Sequence, residues 1–107
     1  MSPYRLSRQA EADVDAIYDY VAEANRSAAD RLSFAFERKF RLLASQPLLG
    51  QLRPDLAPNL RCFTLGNYVI FYRSEGREVE IVRVIHGARD IQALFQPDED
   101  VGSDAPQ

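Results

Sequence analysis

The sequence predicts a single α+β domain in which a helix hairpin packs on one face of a small, mainly antiparallel sheet, in the order β-α-α-β-β-β. Three observations predict it. Leu65 to Asp90, LGNYVIFYRSEGREVEIVRVIHGARD, contains two β-branched and aromatic runs, Tyr68 to Arg73 and Val79 to Ile85, around Ser74-Glu75-Gly76-Arg77. Gly76 is free to take the positive φ of a hairpin loop. Upstream lie two amphipathic helical patterns separated by a short break at Asn25-Arg26-Ser27, a spacing that implies an antiparallel helix pair. Both parities of the strand pair are apolar: Tyr68, Ile70 and Tyr72 on one face, Val69 and Phe71 on the other. A solvated antiparallel sheet would keep one face polar, so this sheet is expected to be covered twice.

In chain order, Tyr4-Arg5-Leu6 is a short first strand and Ser7 is the N-cap of a helix from Arg8 to Glu23. Ala10, Val14, Ile17 and Val21 recur at helical spacing with Tyr18 beside them, while Glu11, Asp15, Asp19 and Glu23 line the other side. That acidic line is a solvated face or a surface for a basic partner. Ser27 with Asp30 resembles a cap for a second helix, Ala28 to Ala44, whose apolar side is Leu32, Ala35, Phe36, Phe40, Leu42 and Leu43. This helix is basic through Arg31, Arg38, Lys39 and Arg41, and Pro47 ends it. The leucines of the connector 48–60 pin it to the core. Arg61 to Leu65 is the next strand, with Gly66-Asn67 as a two-residue hairpin turn.

Composition narrows the function classes. The net charge of −3 is concentrated in the tail, where Asp98, Glu99, Asp100 and Asp104 stand without a cation; without those four, 13 basic residues face 12 acidic ones. The body is not basic enough to argue for nucleic-acid binding from charge, and residues 96–107 are expected to be a disordered acidic tail after a domain spanning 1–95. A single cysteine, Cys62, and a single histidine, His86, build no zinc site and no internal disulfide. No apolar run reaches membrane-spanning length, and the expected location is the cytoplasm. No cofactor is expected.

One helix hairpin covers one sheet face, so the other apolar face is expected to await a partner. A charge under the helices would be desolvated, which places Val69, Phe71, Val82 and Val84 beneath the helices. Ile81, Arg83 and Ile85, joined by Ile70 and Tyr72, are then the expected partner-binding face. Arg83 stands between two isoleucines, where it would hold a partner's carboxylate, contact phosphate, or pair internally with Glu80 or Asp90.

The opening YRLS with its acidic helix, the leucine-rich Pro-Gly connector, LRCFTLGNYVIFYR and VEIVRVIHGARD together resemble the RelE/ParE superfamily of type II toxins, nearest its ParE branch, over about residues 3 to 95. The resemblance implies a toxin neutralised by direct binding of a cognate antitoxin with a ribbon-helix-helix DNA-binding domain, so that DNA is met only through the antitoxin. It implies DNA gyrase as the target and plasmid stabilisation as the role. RelE-like relatives instead cleave mRNA on the ribosome, and a third possibility is a non-toxic co-repressor scaffold. Cleavage at a 2′-hydroxyl needs a base, an acid and phosphate-binding cations. The positions where the ribonuclease branch carries an arginine and a tyrosine match Val69 and Phe95 here, and the sole lysine is Lys39. The remaining candidates are Arg61, Arg83 and His86, with His86 better read as capping or packing in the HGARD turn, Arg89-Asp90 opening a short helix, and Cys62 filling the core.

Overall fold

The computed structural model describes residues 4–87 and Phe95. Strand β1 (Tyr4–Leu6) leads into helices α1 (Arg8–Ala24) and α2 (Arg26–Ser45); β2 (Gln51–Leu52), β3 (Arg61–Leu65), β4 (Tyr68–Glu75) and β5 (Glu78–His86) follow. The five strands form one sheet in the order β1-β5-β4-β3-β2, with β1 parallel to β5 and the other pairs antiparallel. The expected α+β order is observed, with the two-residue β2 added inside what the sequence suggested was a plain connector. The two hairpin turns use Gly66 and Gly76 at φ +58 and +63, the left-handed region that glycine adopts without Cβ strain.

Ser7 caps α1 by accepting from the Ala10 N–H, and its own hydroxyl donates to the Val82 carbonyl, tying the helix start to β5. The second helix starts earlier than the pattern suggested. Asn25 receives the Ala28 N–H on its side chain while its own N–H closes α1 on the Val21 carbonyl, so one residue ends one helix and caps the next. Ser27, the expected cap, lies inside α2. The tight link holds the helices antiparallel, and Tyr18 donates to Asp30 across them.

The helix pair covers Ile70, Tyr72, Val79, Ile81 and Val84, packed against Ala10, Phe36, Phe40 and Leu43. The opposite face of the sheet is not left open, contrary to expectation. Leu56, Ala57 and Leu60 of the connector lie on Phe71, Ile85, Val69 and Val82, and the Phe95 ring sits 4.9 Å from Phe71. Only part of the connector is pinned: Leu60 is fully buried, but Leu48 is 74% exposed.

A β-bulge explains why strict alternation misplaced side chains. Phe71 pairs with Arg83 but Tyr72 pairs with Ile81, so Val82 is an extra residue in β5. Val79 and Ile81 face the helices before the bulge, and Val84 after it; Ile85 falls on the other face. The expected assignment is therefore corrected: of Val69, Phe71, Val82 and Val84, only Val84 lies under the helices.

The bulge also sits where β5 outruns β1. Asp13 closes that edge: one carboxylate oxygen accepts from the Val84 N–H at 2.9 Å and from Arg83 Nε at 2.8 Å, and the other accepts from Arg83 Nη2 at 3.0 Å. Arg83 thus finds an internal partner in Asp13 rather than in Glu80, while Asp90 lies outside the described residues, and the Asp13 hydrogen bonds hold its guanidinium above its ordinary pKa. Asp13→Ala leaves the Val84 N–H and a half-buried guanidinium unsatisfied and is expected to cost about 2 kcal/mol, read as a lower urea midpoint. Asp13→Asn, which can still accept from Val84, should recover part of that loss. A midpoint equal to wild type for Asp13→Ala would show that water replaces the clamp.

Candidate interaction surface

Four of the five sequence-predicted binding residues are buried in the core. Ile70, Tyr72 and Ile81 are fully buried under the helices and Ile85 is buried beneath the opposite layer, so each is a core residue in this structure. Tyr72 has a specific structural task. Its hydroxyl donates to the Pro47 carbonyl at 2.8 Å and accepts the Gly50 N–H at 2.7 Å, fixing the chain as it leaves α2. A Cβ on Gly50 would lie 2.6 Å from that hydroxyl oxygen, which is why the position takes glycine.

The ribonuclease candidates do not converge. Arg61 donates to the Gly50 carbonyl at 2.7 Å and so anchors the same connector. Arg83 is held by Asp13. His86 is exposed at the far end of β5, its ring edge-on to Tyr68 at 5.5 Å between centroids. Arg61 pairs with Tyr72 and His86 with Tyr68, four residues apart on β4, or about 13 Å along the strand. Each is engaged in a different part of the structure, Arg61 at the connector and His86 against Tyr68. Lys39 extends over the Phe63 ring, 5.2 Å from its centroid, on the helix-facing side of β3. Arg89, Asp90 and the acidic tail lie outside the described residues. Among the described residues no cluster of His, Cys, Asp and Glu is arranged to hold a metal ion, and no helix is long and apolar enough to cross a membrane.

What the fold exposes instead is a basic and apolar strip. Along α2, Arg31, Phe34, Ala35, Arg38, Lys39 and Leu42 recur at three- and four-residue spacing, off the stripe Phe36, Phe40, Leu43 that enters the core. Phe34 is 66% exposed. Ala35, Arg38, Lys39 and Leu42 form one wall of an open groove of about 290 Å³, with Leu65 of β3 as the other. Past its end, Leu48, Leu49 and Leu52 are exposed where the chain leaves α2 and enters β2. Scattered exposed leucines need no explanation, but apolar side chains that line one groove beside two cations make a candidate interaction surface. The sequence carried a signal for this: α2 has more apolar positions than one core-facing stripe can use. Another signal was Asp13, an acid on the apolar stripe of α1 between Ala10 and Ile17, which marked the internal partner of Arg83.

A helix hairpin on one face of a small mixed sheet is the architecture of the RelE/ParE toxin class. The profile of the ParE toxin of type II toxin–antitoxin systems, parDE, matches residues 4–91. Toxin ParE1 of Caulobacter vibrioides (strain ATCC 19089 / CIP 103742 / CB 15) is 37% identical over 95 residues, covering 87% of this chain and 97% of the relative. Toxin ParE3 of the same strain is 33% identical over 89 residues, covering 81% and 88%. A solved structure of the chromosomal ParDE TA system from P. aeruginosa superposes with a TM-score of 0.66 at 29% identity, covering 78% of this chain and 92% of that one. The chain belongs to the ParE toxin family, and it is the toxin component of a type II system whose partner is an antitoxin.

Tyr72→Phe tests the reassignment of that residue from surface to core. Losing its two buried hydrogen bonds is expected to cost about 1–2 kcal/mol, and each kcal/mol lowers Tm by roughly 4–8 °C in a domain of this size. The effect is also pH-dependent. Burial raises the Tyr72 pKa above 10.0, so the stability that its neutral form contributes is present below that value and lost as pH rises through the folded-state pKa. The wild type should therefore lose more stability than Tyr72→Phe in alkaline melts. Parallel losses in the two proteins would refute the assignment.

Proposed function

We propose that this toxin inhibits DNA gyrase by binding rather than by hydrolysis, and that an acidic, amphipathic segment of its antitoxin neutralises it by covering the α2–β3 strip. The observation that carries the antitoxin site is the groove between Leu42 and Leu65, with Arg38 and Lys39 on its wall. Apolar side chains of a segment that folds on binding would fill the groove, while its carboxylates pair with the two cations. The antitoxin would also contain the ribbon-helix-helix domain that contacts DNA, leaving the toxin without direct DNA contact. Dispersal of Arg61, Arg83 and His86 over the sheet supports the non-hydrolytic reading. Within this reading the system works in the cytoplasm, stabilises a replicon, and keeps residues 96–107 outside the functional domain.

The double variant Arg38→Glu/Lys39→Glu should bind antitoxin at least tenfold more weakly by calorimetry, about 1.4 kcal/mol, with unchanged circular dichroism. Truncation after Phe95 should leave the affinity within that factor. Wild-type affinity in the double variant would remove the α2–β3 strip as the antitoxin site. For the target, the purified toxin should block gyrase supercoiling. Cleavage of mRNA on translating ribosomes that His86→Ala abolishes would replace the gyrase reading with an endoribonuclease.

A further inference from the structure

The α2–β3 strip leaves one large exposed aromatic unexplained. Tyr20, 79% exposed, stands on α1 between two hollows. One, of about 320 Å³, is lined by Ala16, Ile17, Tyr20, Tyr68 and His86. The other adjoins it along Val21, Glu23, Ala24 and Asn25. An exposed aromatic flanked by hollows of mixed apolar and polar lining is a form that an interface anchor takes.

Charge around this ridge has the opposite sign from α2. Glu11, Asp15, Asp19 and Glu23 follow one another at four-residue steps along α1 and are all exposed, each step rising about 6 Å. The remaining acid of the helix, Asp13, is committed to Arg83, and among the described residues none of the other four is ion-paired. Like charges at that spacing disfavour a helix by roughly a few tenths of a kcal/mol per pair. No cation among the described residues offsets this, whereas a cationic partner would.

We infer that the C-terminal half of α1, where Tyr20 stands beside Asp19 and Glu23, is the surface by which the toxin engages its target, and that it takes a Lys/Arg-rich segment with an apolar anchor. The inference rests on the gyrase reading. An enzyme that handles DNA presents lysines and arginines along the path of the duplex, and a neighbouring apolar side chain would seat beside Tyr20. The two helices then sort their partners by sign: an acidic antitoxin segment is repelled from α1 and drawn to α2, and a basic target surface the reverse.

The test uses purified gyrase holoenzyme and the full-length toxin. Tyr20→Ala and the double variant Asp19→Lys/Glu23→Lys alter only exposed side chains, and their folding is verified by thermal melts. Each should need at least a tenfold higher concentration than wild type for half-inhibition of supercoiling, while antitoxin affinity stays within twofold. The wild-type inhibition should also weaken as salt is raised. If the wild type inhibits gyrase and both variants match it, the α1 assignment is overturned and the gyrase reading stands. If the variants lose antitoxin affinity instead, the face belongs to the antitoxin and the inference is likewise overturned. A wild type without effect on gyrase removes both.

Discussion

The carboxylate of Asp13 is the point on which the architecture turns. At the bulge, β5 continues beyond the end of β1, and the Val84 N–H would face an empty edge. Asp13 supplies the missing acceptor and binds the Arg83 guanidinium with the same two oxygens. A charge-assisted, two-pronged contact of this kind is stronger than a neutral hydrogen bond, and it fixes the distance and angle between α1 and the sheet. The Ser7 cap makes a second attachment nearly two turns earlier, so the first helix is held to β5 at two heights.

With α1 fixed, the single-residue link at Asn25 leaves α2 little choice of position. Phe36, Phe40 and Leu43 must then enter the sheet beside Ile70 and Tyr72. That packing turns the remaining stripe of α2 outward toward the edge of β3, which is what brings Leu42 and Leu65 to opposite walls of one groove. The groove is thus a consequence of core packing. Its chemistry comes from the residues that the core did not need.

Charge separation between the helices follows from the same geometry. Of the charged residues in α1, Arg8 is the sole cation, and the exposed acids run the length of the helix; α2 bears five cations and two acids. These charges scarcely serve to hold the hairpin together, since the pairs between charged groups on the helices run within α2 (Arg41 to Glu37) or from α1 to the sheet (Asp13 to Arg83). Exposed pairs contribute little to stability in any case. Spread over two faces of one small body, however, they present partners with fields of opposite sign, and this affects encounter rate and selectivity more than affinity.

Much of the fold was legible in local sequence. The Ser7 cap, the 3.6-residue spacing of Ala10, Val14, Ile17 and Val21, the stop before Pro47, and the glycines of the two hairpin turns each depend on neighbours close in the chain. They gave the order of every element but β2, and the boundaries to within two residues. The interaction surface was not legible in the same way. One extra residue, Val82, reverses the facing of every side chain after it, and a bulge leaves no mark in an alternating apolar pattern. Ile81 and Ile85, equivalent by spacing, therefore lie on opposite faces, and Arg83 reaches a carboxylate seventy residues away. Which apolar groups remain exposed is settled only after connector and helices have competed for the two faces of the sheet, a choice made by long-range packing that no local window contains.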